Sequence, residues 1–567
     1  MKMSKSNIYI SVFAILAFLF WAFVHPEWLN FHEQYQLFLF SSDYLIEHLA
    51  LPGGFVVWLS EFFVQFFYNR FLGAAVVSIV LTLIYILLRS KDNYILALIP
   101  SVLIWIYSGD QSMLFAFPVS VLVAVSAFVL FNKIDFKYKN YIQFLFIAIA
   151  YWLIGYGAFI YALLVGIDII IKSNQRSKDI ILLGLQFLFL CVLILCIGRF
   201  IIIQYPFCDL FFGIDFYRIR ITTPFWQHLI ATSCIVTFIS IKLNKILYYS
   251  LLGAIAIGGV CGVISQYDFE TYSYLKIDYY VRYKKWESLL NFAKRYNLQS
   301  DFAATGVNLA LAETGQLPQR LFEFNQTSDN GMLSQFDYTC FSCGPTAEAC
   351  YSLGLVNSVL RYNFDMQAAI INCKYSGRFC KRIAETYLIN NRNDVARMYI
   401  NKLKQTLFYR SWALLAEECL YDRSKINSNP EWSNLVKYHF CDGLNFSHSH
   451  LIDMLVVHFS NNTDNRMAID YALSLCLINK DLDNFIKYFP IYTANFGASN
   501  IPDTYQQAFI ISCVINGYSL DKLPQFISKQ AIDTFKHFYN TFMMNPDSKE
   551  FTTGNLSKSY FKYYFTK

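Results

Sequence analysis

Charge is scarce in this sequence. Asp, Glu, Lys and Arg make up 15% of the 567 residues, where a soluble globular chain carries about 25%. Hydrophobic residues reach 56% and aromatics 18%, which excludes disorder, a collagen-like chain and a small secreted disulfide scaffold. The motifs of soluble enzymes are missing. There is no Walker A loop, no HExxH, no GxSxG and no GxGxxG leading from a strand. A net charge of +6 is too small to imply nucleic-acid binding.

What charge there is divides the chain. Residues 1–265 hold 16 Lys/Arg and 12 Asp/Glu, whereas residues 266–567 hold 30 and 28. The first part is nearly charge-free between short clusters and reads as a multi-pass transmembrane domain. The second has an ordinary soluble composition. The boundary lies near Gln266, where the run Leu251–Ser265 gives way to Tyr267-Asp268-Phe269-Glu270.

A bilayer crossing needs about 20 apolar residues. Nine runs approach that length: 7–24, 71–88, 93–107, 112–131, 140–155, 158–171, 180–203, 227–241 and 247–265. Gly155-Tyr156-Gly157 reads as a tight turn between two short helices. With the N-terminus in the cytoplasm, 12 of the 16 Lys/Arg in this half fall inside, as the positive-inside rule requires. Nine crossings then put the C-terminal domain outside the cytoplasm. Run 7–24 lacks small residues at cleavage spacing and reads as an uncleaved helix. Asp168 and Lys172, four apart, read as an ion pair near the interface. A transporter would show repeats among its helices and several intramembrane charges, and neither is present.

Two outer loops are long. Residues 25–70 hold Glu27, Glu33, Asp43, Glu47 and Glu61 with His25, His32 and His48. Leu37, Phe40, Tyr44, Leu45 and His48 share a helical face, and Phe55–Tyr68 repeats the pattern after Pro52-Gly53-Gly54. This predicts two amphipathic interfacial helices joined by a turn. Residues 204–226 offer Asp209, Asp215, Arg218 and Arg220.

From Tyr267 onward the pattern is helical, without alternating strands. Ile383-Ala384-x2-Tyr387-x8-Ala396-x3-Ile400 has tetratricopeptide spacing. Leu388-Ile389-Asn390 returns as Leu477-Ile478-Asn479, and a weaker echo is Val514-Ile515-Asn516. The whole fold is therefore expected to be all-α, a membrane bundle followed by a degenerate helical-hairpin solenoid. Cys340-Phe-Ser-Cys343 lacks the βαβ setting of a redox site and the second pair of a zinc site. A structural disulfide is its leading reading. His448, His450 and His458 read as a metal site or, more simply, as a helix-start turn.

The whole chain resembles a Bacteroidota membrane-protein family of unknown function. The stretches that carry this are Phe31-His-Glu-Gln-Tyr-Gln-Leu-Phe38, Leu51-Pro-Gly-Gly54, Val307-Asn-Leu-Ala-Leu-Ala-Glu-Thr-Gly-Gln-Leu317 and Leu407-Phe-Tyr-Arg410. It implies a bacterial inner membrane with the C-terminal domain in the periplasm. The membrane half also resembles the GT-C class of integral-membrane glycosyltransferases in its long first outer loop with acids and interfacial helices. That resemblance implies a polyprenyl-phosphate-linked sugar donor, a glycan or protein acceptor and a catalytic acid in the first loop. Glu33 stands closest to the class's position, and Asp43 is the second candidate. Such a carboxylate takes the acceptor proton or holds a divalent metal. Arg218 and Arg220 would meet the leaving lipid phosphate, or bind lipid headgroups. The rival expectation is a non-catalytic, membrane-anchored scaffold whose solenoid binds envelope proteins.

Overall fold

The computed structural model describes residues 5–89, 94–134, 139–172, 176–212, 224–238, 245–337, 342–370, 374–440, 450–499, 501–520, 523–546 and 548–566. Among them every regular element is helical. The chain forms two compact units. The first comprises Met1–Tyr272 with two short segments from later in the sequence, Ile370–Gly377 and Lys402–Ser411. The second holds Ser273–Ala369, Arg378–Asn401 and Trp412–Lys567.

In the first unit, α1 (Lys5–Leu19) continues through a π-helical turn at Phe20–Val24. Three short helices follow: α2 (Pro26–Tyr35), α3 (Ser42–Leu49) and α4 (Gly54–Val64). The bundle then runs through α5 (Arg70–Leu88), α6 (Leu98–Tyr107), α7 (Ala116–Lys133), α8 (Lys139–Ile154) and α9 (Gly157–Lys172). It ends with α10 (Arg176–Phe200), α11 (Phe207–Phe212), α12 (Pro224–Val236) and α13 (Lys245–Ser265). Two helices flank the expected Pro-Gly-Gly turn, α3 and α4, joined through Gly53 in the left-handed region (φ +78°); Leu37 and Phe40, expected on the face of the first, lie instead in the non-helical strip before α3, which starts only at Ser42. The turn at Gly155 is present too, with φ +55°.

Nine apolar runs do not give nine full-length crossings. Among the described residues, four helices are long and apolar enough to cross a membrane: Arg70–Leu88, Ala116–Lys133, Ser177–Phe200 and Ile246–Ser265. A fifth is counted if Ile8–Val24 and Pro26–Tyr35, bent by 79° at their junction, form one broken span. The chain is thus a membrane protein by its apolar helices. The runs at 93–107, 140–155, 158–171 and 227–241 form α6, α8, α9 and α12, of 10 to 16 residues. At 1.5 Å per residue those span about 15–24 Å, short of a hydrocarbon core of about 30 Å.

Packing follows from side-chain size and from polar contacts that apolar surroundings make necessary. α5 lies against α1, α6 and α7, and α9 against α7, α8, α10 and α12. The Ser78 hydroxyl donates to the Ala14 carbonyl (2.7 Å) and ties α5 to α1. Ser101 does the same from α6 to Leu81 of α5 (3.0 Å). The core holds Trp21, Trp28, Tyr85, Tyr107 and Phe117, all fully buried. Ile257, Val260 and Ile264 of α13 stay exposed, as a lipid-facing helix requires. Lys172 and Asp168 pair at 2.7 Å on α9.

The second unit is built of helix pairs with one recurring stop. The second residue after the helix takes a left-handed conformation, and the next N–H bonds back five residues. Asn391 (φ +58°) precedes the Arg392 N–H to Tyr387 carbonyl bond of 2.8 Å. Lys480 (φ +56°) precedes Asp481 to Cys476, also 2.8 Å. Gly517 (φ +76°) precedes Tyr518 to Cys513 at 2.9 Å. These are Schellman stops, and they explain the Leu-Ile-Asn echoes, each of which is the last turn before one. Ile383, Ala384, Ala396 and Ile400 are fully buried, and the Tyr387 and Tyr399 rings stack at 6.4 Å. Arg378 pairs with Asp278 (2.8 Å), while Arg382 pairs with Glu348 (2.7 Å) and Glu385 (2.8 Å).

Asn308, from the stretch Val307–Leu317, clasps Gln326. Each side-chain amide donates to the other, at 3.0 and 3.1 Å, and Asn308 also donates to the Gly331 carbonyl at 3.0 Å. Both side chains are buried. Asn308→Ala leaves two partners desolvated, at about 1–3 kcal/mol each. The expected result is a lower chemical-denaturation midpoint with an unchanged slope; an unchanged midpoint would remove the clasp from the stability account.

Candidate functional site in the first loop

The first loop turns on His25. The helix from α1 stops there, Pro26 occupies the first position of α2, and its missing N–H costs nothing at that place. Glu27 in the first turn lies 2.6 Å from His25 Nδ1. The Trp21 and Trp28 rings pack at 4.7 Å, and Trp28 lies 4.0 Å from His32, centroid to centroid.

α2 is unusual because it is polar and yet buried along its length. Glu27, Asn30, His32, Glu33 and Gln34 are each less than 5% exposed. Burying such groups is costly unless they find partners. Glu33 finds one: its Oε1 accepts from the Tyr409 hydroxyl at 2.9 Å. Tyr409 belongs to the segment Lys402–Ser411 that clusters with this unit. Its ring packs edge-on against Tyr68 (5.4 Å), and Phe408 stacks on Tyr68 (5.1 Å). A Cβ at Gly377 would lie 2.3 Å from the Tyr409 ring, so the glycine admits the ring. The strip between α2 and α3 is zipped to the same two segments. The Leu37 N–H donates to the Tyr375 carbonyl (2.9 Å) and the Phe40 N–H to the Gln405 carbonyl (2.8 Å).

A second buried acid anchors the other segment. Glu61 of α4 is 1% exposed and lies between Lys374 Nζ (2.7 Å, Oε1) and His48 Nε2 (3.0 Å, Oε2). The Tyr44 hydroxyl donates to the same carboxylate. Lys374 Nζ also lies 3.0 Å from His48 Nε2, and His48 Nδ1 meets the Tyr44 carbonyl at 2.7 Å. A hydrogen on Nδ1 satisfies that carbonyl. Nε2 then accepts from Lys374 when the ring is neutral, or donates to Glu61 when it is charged. Burial pushes the Glu61 carboxyl up, but the Lys374 charge and the His48 hydrogen bond outweigh it and hold the group at about 2. Burial first, and then Glu61, push the Tyr44 phenol well above its usual range. The cluster therefore keeps one ionised carboxylate, locked to one ammonium, inside the protein.

The other candidates fall elsewhere. Asp43 is exposed in the first turn of α3 and takes no part in either buried contact. Arg218 and Arg220 lie outside the described residues, as do Cys340 and His448. Cys343 is a buried thiol that burial pushes up to about 12. His458 Nε2 bonds the Leu353 carbonyl at 2.7 Å, a structural use, and His450 is exposed. Among the described residues no group of three or more His, Cys, Asp or Glu could hold a metal ion. The Glu61 cluster escaped motif reading. Its one sequence signal is a lone carboxylate inside the apolar stretch Phe55–Tyr68.

No curated protein and no solved structure matches this chain. A family profile does, and its match over residues 2–567 spans the loop, the bundle and the segments carrying Lys374 and Tyr409. The chain belongs to the family of unknown function DUF6057.

Proposed function

We propose that this protein is a GT-C-type glycosyltransferase of a bacterial inner membrane, acting on the periplasmic face with a polyprenyl-phosphate-linked sugar. The observation that carries the reading is the setting of Glu33. It follows the first apolar helix across a 79° break and sits on a short buried helix where Tyr409 fixes its carboxylate. In this reading the Glu33 carboxylate takes the acceptor hydroxyl proton as the acceptor oxygen bonds to the anomeric carbon. The bond to the lipid phosphate breaks with its electron pair on phosphate. Arg218 and Arg220 would stabilise that charge. The shorter helices α6, α8, α9 and α12 would complete nine crossings, with the N-terminus inside. The C-terminal helical repeats would hold a glycan or envelope-protein acceptor. No step runs through a metal.

A second reading, a membrane-anchored scaffold without catalysis, is favoured by one observation. Both buried acids that hold the later segments, Glu33 and Glu61, are engaged in tying them to the loop. Glycan profiling separates the two. Cells carrying a deletion, Glu33→Ala, Asp43→Ala or Tyr409→Phe are compared with wild type at equal membrane levels. The enzyme reading expects a glycan missing in the deletion and reduced at least ~100-fold by Glu33→Ala, the lower end of a general base's contribution. Tyr409→Phe keeps the base but loses its positioning, so its loss should be smaller. An altered envelope in the deletion alone, with all point variants like wild type, would transfer the lead to the scaffold.

A further inference from the structure

The stretch Leu407–Arg410 does more than present Tyr409. Residues 402–411 read Lys402-Leu-Lys-Gln-Thr-Leu-Phe-Tyr-Arg-Ser411, with three cations and no acid. They lie far along the sequence from the apolar helices, yet cluster with the first unit. A ring stack fixes their level in it. Phe408 stacks on Tyr68 at 5.1 Å, and Phe66 meets Phe408 edge-on at 6.0 Å. Tyr68 stands two residues before α5, one of the four helices long and apolar enough to cross a membrane. Asn69 sets the start of that helix, since its Oδ1 accepts from the N–H groups of Phe71 (2.9 Å) and Leu72 (3.4 Å). Phe408 is therefore level with the end of a membrane helix, where aromatic belts mark the headgroup layer.

The surface around this stack is apolar and open. Phe23, Phe71, Leu72 and Leu407 are each 42% exposed or more. Phe23, in the turn that ends the first apolar helix, packs on Phe71 at 5.9 Å. The charge of the patch has one sign. Residues 18–26, 62–72 and 402–411, which build it, hold four Lys/Arg and no acid. The Arg70 guanidinium carbon lies 4.6 Å from the Phe71 ring centroid and 5.7 Å from that of Phe23, and Arg410 is exposed. Among the described residues neither arginine has a carboxylate partner. A guanidinium stacked on rings keeps its in-plane N–H groups for a planar, bidentate acceptor such as phosphate.

We propose that Leu407–Arg410, together with Phe23 and the start of α5, forms a docking surface for anionic phospholipid. Leu407 reaches the acyl region beside Phe71 and Leu72, and Arg70 and Arg410 take lipid phosphates. Two observations select a bilayer as the occupant: the patch is basic throughout, and it continues the surface of a membrane-crossing helix. The segment is then fixed twice, by lipid through Leu407 and Arg410 and by Glu33 through the Tyr409 hydroxyl. The proposal does not depend on sugar transfer, because it concerns where the segment rests and not what Glu33 does.

The test uses the full chain, with a photoreactive benzoylphenylalanine in place of Leu407, in nanodiscs of equal phosphatidylcholine and phosphatidylglycerol. Irradiation followed by mass spectrometry should give phospholipid adducts at that position, phosphatidylglycerol several-fold above phosphatidylcholine. Added salt should lower this enrichment, since exposed charges are screened. The double variant Arg70→Gln with Arg410→Gln should keep the lipid adduct and bring the two lipids to equal yield. Absence of a lipid adduct at residue 407 would overturn the assignment. So would equal yields of the two lipids with both arginines in place, whether or not the double variant folds. An adduct to a second copy of the chain instead of lipid would also overturn it and make the patch a contact between copies.

Discussion

Glu61→Ala should destabilise the first unit by about 3–5 kcal/mol, the usual result of removing one partner from a buried ion pair. The reason is the company Glu61 keeps. Its carboxylate is the counter-charge of Lys374 at 2.7 Å and accepts the Tyr44 hydroxyl. Without it the Lys374 ammonium, 3.0 Å from the His48 imidazole, loses that counter-charge. Lys374→Met should cost a similar amount from the other side, because it strands the anion. The double variant Glu61→Leu with Lys374→Met strands no charge and should recover part of the loss. Thermal unfolding in detergent, followed by helix signal, reads all three. The pH dependence has a definite sign. A folded value near 2 lies below the ordinary 4.5, so this stability is fully present above the ordinary value. It is lost as pH falls from 4.5 towards 2. Wild type and Glu61→Ala should therefore converge in acid. Parallel curves across that window would show that Glu61 is not held ionised by Lys374.

How much of this was legible in the sequence depends on the range of the interaction. Signals confined to one helix or turn were readable: the turn at Pro52-Gly53-Gly54, the Gly155 turn and the Asp168–Lys172 pair. Each is fixed by backbone geometry or by i,i+4 reach, so local spacing suffices. Lys374 was not readable as a partner of Glu61, because 313 positions separate Lys374 from Glu61 and nothing local distinguishes it from other surface lysines. The same holds for Tyr409 and Glu33, although both fall in stretches that carry the family resemblance. The polar helix α2 shows why hydropathy misleads here. Its residues read as part of a long outer loop, but aromatic rings and the segment bearing Tyr409 enclose them. Fewer full-length crossings are found among the described residues than apolar runs for a related reason. Composition counts apolar residues, whereas a full-length crossing requires one unbroken helix, and α6, α8, α9 and α12 hold 10 to 16 described residues each.

Gly54→Ala should be as damaging as the loss of Glu61, although it adds one methyl group. A Cβ at this position would lie 1.7 Å from the His48 carbonyl oxygen and 2.5 Å from its carbon. Both are backbone atoms, so no side-chain rotation relieves the clash. The end of α3 must move away from the start of α4. His48 is the last but one residue of α3, and its imidazole reaches Glu61 two turns along α4. The shift that makes room for the methyl group therefore pulls His48 from the buried carboxylate. Helix propensity acts in the opposite direction, since alanine is better than glycine by about 1 kcal/mol in a helix interior. A net loss of about 3 kcal/mol or more is expected, at the upper end of overpacking costs. Gly53→Ala supplies the contrast. There the residue is left-handed at φ +78°, and the expected cost is the conformational one, about 1–2 kcal/mol. The double variant Gly54→Ala with Glu61→Ala decides the mechanism. If the methyl group acts by opening the cluster, the second substitution has little left to remove, and the pair costs less than the sum of the singles. Strict additivity in the melting data would mean that the close approach of α3 and α4 and the Glu61 anchor stabilise the loop independently.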